Sequence, residues 1–265
     1  MTLKSLGPRL TAIGSGKGGT GKTFVAVALA QAFADLGERV LVCDADLGLA
    51  NVAVQLGLAN SGDLPGLLAG KILLADAVAH VGIGSHASFD LLSAPAGSGA
   101  LADADAETAE RLAALLKRAC GYDRVLIDLG AGVGAATMTF AAHADDTLVL
   151  ATPDPASLTD AYAFAKLMVK RTGGRAPAIV INLAAGAGEA KRTADALIRS
   201  AQTFLKVMPD YLGFVPNDLR VVEAVRRQTM LCVLHPQSPA VAAIEALAGA
   251  LGGQIGNLKI APSLR

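Results

Sequence analysis

Residues 16–23 read Gly16-Lys17-Gly18-Gly19-Thr20-Gly21-Lys22-Thr23, and no other part of the 265-residue chain restricts the fold as much. The octapeptide fits G-x-x-x-x-G-K-[ST], the Walker A phosphate loop, which works only between a strand and a helix. The flanks agree: the apolar run Leu10–Gly14 precedes it and the helical pattern Thr23–Leu36 follows. Glycines let successive backbone N–H groups curl around phosphate oxygens, and the helix points its positive end at them. In such a loop Lys22 reaches the β and γ phosphates and the Thr23 hydroxyl ligates Mg²⁺. A chance match in a chain of this length is on the order of one in a hundred.

The rest of the chain repeats the strand–helix alternation. Further strands are expected at 39–43, 89–93, 124–128, 147–152, 178–182 and 211–215, with a weaker eighth at Met230–Leu234. Helical patterns fall at 106–120, 135–143, 157–171, 189–206, 219–227 and 239–251. Strands that are nearly continuous in apolar residues indicate a parallel sheet covered on both faces. The expected fold is therefore a doubly wound α/β sheet of about seven or eight strands. No linker or internal repeat divides the chain. Residues 1–252 read as one nucleotide-binding domain and 253–265 as a C-terminal tail; the Gly/Ser/Ala stretch 94–104 is the loosest part.

Composition limits the alternatives. Apolar residues reach 52% and charged residues only 17%, while 23 basic residues balance 23 acidic ones. That excludes a disordered chain and a strongly basic nucleic-acid binder. Mean hydropathy is +0.47, yet no run approaches the ~18–20 apolar residues of a spanning helix. Cys43, Cys120 and Cys232 lie far apart and outside any CxxC, so they read as reduced thiols. His80, His86, His143 and His235 have no ligand spacing. With no secretory leader in the first ten residues, the expected compartment is the cytoplasm.

Two acidic segments complete the phosphate-loop chemistry. The second strand ends in Cys43-Asp44-Ala45-Asp46, which sets carboxylates at the ligand-binding edge of an open sheet. Asp44 is placed to hold Mg²⁺ through water and Asp46 to orient an attacking water. The run Tyr122–Asp128 is an apolar strand ending in Asp, the Walker B pattern, and makes Asp128 a second-sphere Mg²⁺ residue. Gly130–Gly134 follows as a candidate switch that senses the terminal phosphate. The basic groups Lys166, Lys170, Arg171, Arg175 and Arg220, Arg226, Arg227 fit solvated faces better than a DNA surface, given the zero net charge.

The second lysine of the loop is the signature of a family. Lys17–Thr23 matches KGGxGKT throughout and resembles the deviant Walker A motif of the MinD/ParA ATPases. The resemblance spans roughly residues 10–250. It implies ATP/ADP and Mg²⁺ as cofactors, and a homodimer on ATP binding in which Lys17 reaches the partner's nucleotide. It also implies water attack oriented by Asp46, since that family's first switch reads DxDxG here. Asn182 closes a strand where the family usually carries a base-recognising Asn, although the Arg that usually follows is Leu183. Pro216-Asn217-Asp218 lies where family members frame the adenine.

Within the family, Asp44–Val52, the segment Thr152-Pro-Asp-Pro-Ala-Ser-Leu-Thr-Asp-Ala-Tyr162 and Gly213–Asp218 with Ala224–Gln228 are similar to the FlhG (FleN/YlxH) branch. The second segment resembles that branch's TPEPTSITDAY. The resemblance implies slow ATP hydrolysis, control of flagellar number or placement, and partners such as the flagellar GTPase, switch-complex proteins or a transcription regulator. It also implies reversible association with the inner face of the cytoplasmic membrane. Two features depart from the branch. The DQAxxLR-like activator segment does not precede the first strand, and the tail carries only Lys259 and Arg265 as cations with Pro262 between them. An interfacial helix wants a cationic face and an apolar one. The alternative is a ParA-like partition ATPase with ATP-dependent, non-specific DNA binding. An iron–sulfur carrier would need paired cysteines, and a tyrosine kinase a tyrosine-rich tail; the chain has neither.

Overall fold

A computed structural model describes residues 7–46, 51–59, 62–82, 86–95 and 105–257, with backbone alone over 253–257. The strands are β1 (Arg9–Gly14), β2 (Val40–Ala45), β3 (Ala79–Val81), β4 (Phe89–Leu92), β5 (Arg124–Leu129), β6 (Asp146–Ala151), β7 (Ala178–Ala184) and β8 (Tyr211–Pro216). They form one eight-stranded sheet in the order β3-β4-β2-β5-β1-β6-β7-β8. Every pairing is parallel except β3 with β4. The helices are α1 (Lys22–Asp35), α2 (Val52–Gln55), α3 (Leu64–Leu68), α4 (Leu74–Ala77), α5 (Ala106–Leu116), α6 (Ala135–His143), α7 (Pro155–Thr172), α8 (Ala187–Ser200), α9 (Leu219–Arg226), α10 (Leu231–Leu234) and α11 (Pro239–Asn257).

Side-chain alternation along the strands explains the layers. Leu41 and Cys43 of β2, with Val125 and Ile127 of β5, face one apolar layer that includes Leu112, Phe140, Phe164 and Leu197 of α5 to α8. Val40, Val42 and Leu126 face the other, which holds Leu29 and Phe33 of α1 and Ile244 and Leu247 of α11. Both faces are covered, so the central strands carry no solvent-facing polar alternation.

The weak eighth strand is elsewhere than expected. Met230–Leu234 is not a strand: Met230 caps α10, and Met230 and Leu231 are buried while Val233 faces solvent. A five-residue apolar run does not distinguish helix from strand by its period. The eighth strand is instead β3, three residues long and antiparallel at the edge, with His80 opposite Asp90. Two helices also differ in extent. The pattern 189–206 begins at Ala187 and ends in a π-helical turn, Ala201–Leu205, that closes on Lys206 at φ 59°. The last helix runs to Asn257, past the boundary expected at 252, while residues 258–265 lie outside the described residues. Most of the loose stretch 94–104 lies outside them too.

Charged pairs staple the N-terminal edge of the sheet, away from the phosphate loop. Arg9 pairs with Asp146, and Arg39 with Asp123 at 3.0 Å. Arg124 is only 1% exposed; its guanidinium donates to both Glu38 oxygens at 2.7 and 3.1 Å and lies 3.8 Å above the Phe33 ring. Removing one member of a buried pair leaves the other uncompensated. We predict that Glu38→Ala destabilises the protein by about 3 kcal/mol in urea unfolding, since the guanidinium then stays buried alone. Disrupting the exposed Arg39–Asp123 pair should have little effect. Equal, small effects at both pairs would contradict this.

Candidate active site

The strand register brings the acidic residues together. Asp44 and Asp128 lie directly opposite each other at the ends of β2 and β5, and Ile13 of β1 is the other neighbour of Asp128. The loop leaving β1 therefore passes over Asp128, with Asp44 one strand further on. Its lysine, Lys22, is 9% exposed; burial lowers its pKa, opposed by the charges of Asp128 and Asp46. The Thr23 hydroxyl donates to Asp128 Oδ2 at 2.7 Å. Asp44 accepts the backbone N–H groups of Asn51 and Val52 at 2.9 and 3.0 Å and of Asp46 at 3.2 Å.

These surroundings set the carboxyl pKa values. Burial pushes Asp44 up to about 6, while the three N–H donors pull it down. Burial and then the facing Asp44 push Asp128 up to about 7, against the Thr23 hydroxyl and Lys22. Among the described residues, Thr20 Oγ1 and Asp128 Oδ1 are buried polar atoms with no protein partner. A buried acceptor without a partner is costly. A carboxylate pair with an orphan oxygen beside a threonine hydroxyl fits a hydrated divalent cation, which Thr23, Asp44 and Asp128 would hold.

The loop curls because glycine is required in it. Gly19 and Gly21 sit at φ 77° and 84°, in the left-handed region. At Gly21 there is also no space, since a Cβ would lie 2.3 Å from Asn182 Nδ2. A cavity of about 600 Å³ opens from the loop. Gly18, Gly19, Lys22 and Thr23 form its phosphate end with Asp46 and Asn182 beside them, and Pro216, Asn217, Asp218 and the α9 residues Val221, Val222, Val225 and Arg226 form the other. The size suits a nucleotide-scale ligand.

A family model described as the CobQ/CobB/MinD/ParA nucleotide binding domain matches residues 11–231. The chain belongs to this family. It is 34% identical over 241 residues to the antiactivator FleN of Pseudomonas aeruginosa, covering 91% of this chain and 85% of that one. It is 29% identical to the flagellum site-determining protein YlxH of Helicobacter pylori, covering 92% and 81%. Among solved structures, the septum site-determining protein MinD of Pyrococcus horikoshii complexed with Mg-ADP superposes with a TM-score of 0.77 at 25% identity, covering 96% and 100%. This is a MinD/ParA-type ATPase domain, and flagellar relatives of the FlhG branch are among its curated matches.

Of the two loop lysines in this MinD/ParA domain, Lys22 lines the cavity and Lys17 stands outside it. The Lys17 ammonium is paired with Asp154, the N-cap of α7, within the Thr152–Tyr162 segment. The Lys17 carbonyl accepts the Ser15 hydroxyl at 2.6 Å, which fixes the turn. Gly16 packs so closely on α7 that a Cβ would lie 2.1 Å from the Asp160 carbonyl oxygen. Gly132, in the candidate switch 130–134, donates its N–H to the Ser15 carbonyl at 3.0 Å. Sequence reasoning missed Asp154 and Ser15 as loop partners. The FlhG-like segment that holds Asp154 was the available signal.

The expected base contacts have internal duties. Asn182 donates from Nδ2 to the Thr20 carbonyl at 2.8 Å and accepts the Leu183 N–H at 2.9 Å. It lines the cavity as a brace of the phosphate loop. Leu183 follows at φ 59°, 42% exposed. The Asn217 N–H donates to the Ala184 carbonyl at 2.9 Å. Asp218 caps α9 through the Arg220 N–H at 3.0 Å and accepts the Ser238 hydroxyl at 2.7 Å, so its carboxylate holds structure at the cavity wall. The basic groups are partly structural as well. Arg175 donates to the Ala144 and Ala142 carbonyls at 2.7 Å, Arg171 to Thr139 at 3.2 Å, and Arg227 pairs with Glu223 at 2.8 Å. No group of ligand-type side chains that would hold a metal through His or Cys occurs among the described residues.

Two outcomes are expected. Asp128 has its pKa raised from 3.8 to about 7 in the fold, so folding favours its protonated form. That contribution is fully present below the unfolded value and is lost as pH rises through about 7. Melting of the nucleotide-free protein should therefore fall more steeply between about pH 4 and 7 than that of Asp128→Asn. Mg·ADP should flatten the wild-type slope; parallel slopes would contradict the assignment. Second, Gly21→Ala should abolish nucleotide binding in calorimetry while the sheet persists by circular dichroism, because it strains φ and strikes Asn182.

Proposed function

We propose that this protein is an ATP-dependent switch that closes into a homodimer, hydrolyses ATP slowly and controls the placement or number of a cellular structure. The flagellum is the structure that the FleN and YlxH relatives indicate. The observation that carries the proposal is the outward placement of Lys17. A second cation acting on its own phosphates would line its own cavity, yet Lys17 is 36% exposed and paired with Asp154, which is 48% exposed. An exposed pair exchanges partners at little cost. Lys17 is thus free to leave Asp154 for the phosphates of a facing copy.

Within each copy, Lys22 and the loop N–H groups bind the β and γ phosphates, and Asp46 orients the attacking water. Thr23, Asp44 and Asp128 hold Mg²⁺, which neutralises phosphate charge. The Asn182 brace keeps the loop open for the ligand, and the Pro216–Asp218 corner frames the base. Closing and reopening change the outer surface that partners read, and slow turnover suits a timer. The partners expected by resemblance are the flagellar GTPase, switch-complex proteins or a transcription regulator. No helix among the described residues is long and apolar enough to cross a membrane. By resemblance, reversible attachment to the inner face of the membrane would involve the C-terminal segment 253–265. The DNA-binding alternative is less well supported, since Arg171, Arg175 and Arg227 are engaged in intramolecular contacts.

The test is the solution mass of Asp46→Ala by light scattering. Its mass should double with Mg·ATP alone, and adding Lys17→Ala should keep it monomeric while ATP still binds. A chain that binds ATP and stays monomeric would overturn the switch; one that also dimerises without Lys17 would overturn the role in trans.

A further inference from the structure

The short helix α2 lies between the two ends of the cavity and is fastened at both of its own ends. At its N-terminus, Asp44 Oδ2 accepts the Asn51 and Val52 N–H groups at 2.9 and 3.0 Å. Toward its C-terminus, the Val54 carbonyl accepts Gln228 Nε2 at 2.8 Å, a contact spanning 174 residues. Gln228 terminates α9: its N–H donates to the Val225 carbonyl at 3.0 Å, and its backbone is left-handed at φ 50°. Glutamine seldom adopts that conformation without a surrounding reason. The same side chain packs against Gly57, where a Cβ would lie 3.0 Å from Gln228 Cβ. Gly57 is itself left-handed, at φ 64°.

α9 forms the far wall of the cavity through Val221, Val222 and Val225, and α2 contributes Gln55 to that cavity. Phe24, Gln55 and Val225 also border an apolar cleft behind it, so the α2–α9 junction is the partition between the two spaces. A four-residue helix has too few internal hydrogen bonds to hold its position alone. Burial of Val52, Ala53 and Leu56 seats it on the core, and Asp44 at one end and Gln228 at the other fix its termini.

We infer that Gln228 is a positioning residue that couples the base end of the site to its metal end through α2. An element whose arrangement both ends bias carries a coupling free energy between them, and that coupling is reciprocal. When Asp44 takes part in holding Mg²⁺, its grip on Asn51 and Val52 sets α2, and Gln228 passes that setting to the α9 wall. Base contacts seated on α9 act back on Asp44 by the same route. The inference rests on the nucleotide reading of the cavity.

The test compares two ligands, ADP and pyrophosphate, which carries the phosphates without the base. Their affinities for the full chain are measured by competition calorimetry, with and without Mg²⁺. In the wild type, Mg²⁺ should enlarge the preference for ADP over pyrophosphate by about fivefold, the low end of typical couplings. In Gln228→Ala that preference should be the same with and without Mg²⁺. Gln228→Asn guards against a backbone effect: asparagine suits the left-handed conformation better but is one methylene short of Val54. It should behave like Gln228→Ala.

A lost hydrogen bond of purely structural value would lower both affinities or the melting temperature and leave the Mg²⁺ dependence of the preference intact. That result would overturn the inference. So would a wild-type preference that Mg²⁺ does not change. If neither ligand binds the wild type, it is the nucleotide reading that fails.

Discussion

Two carboxylates, Asp44 and Asp128, stand opposite each other in the β2–β5 register, nearly out of reach of water, and the site is arranged around this pairing. Burying two like charges side by side opposes folding unless one holds its proton or a cation arrives. The chain offsets part of the cost with backbone N–H groups on Asp44 and with Thr23 and Lys22 on Asp128. One oxygen of Asp128 is left unanswered. A ligand that brings its own divalent cation would complete this arrangement and so tie binding to stability. The sheet bears that local cost because its opposite edge is fastened by Arg124–Glu38 and Arg9–Asp146.

Around that pair, the phosphate loop is held by contacts from distant parts of the chain. Asn182 at the end of β7 braces Thr20, Gly132 after β5 grips Ser15, and α7 receives Gly16 and pairs with Lys17. A loop fixed from several sides is preorganised, so little ordering remains to be done when phosphate enters. The exception is Lys17, whose ion pair is exposed. The loop thus combines a fixed lysine inside the cavity with an exchangeable one outside it. That division of roles is what the proposed dimerising switch requires.

Much of this was legible in the sequence because the informative elements are local. Strands buried on both faces, such as Val40–Ala45 and Arg124–Leu129, read as unbroken apolar runs. The phosphate loop is one contiguous octapeptide. What escaped was set by distance or brevity. β3 alternates buried, exposed, buried across Ala79–Val81, but three residues are too few for that period to stand out in the sequence. Met230–Leu234 is apolar but too short to show its period, and packing against α1 and α11 made it helical. Asp154 and Lys17 are 137 positions apart, so only the fold reveals their pairing. Asn182 was expected to close its strand, but β7 runs on to Ala184, and the amide braces Thr20 beside Gly21.

The central claim is that the catalytic site is completed only when two copies meet. The most direct measurement is the rate of ATP hydrolysis per chain as the protein is diluted at saturating Mg·ATP. The rate per chain should rise with protein concentration and level off once dimers predominate. A rate per chain that stays constant across the dilution series, with the protein monomeric throughout, would contradict it.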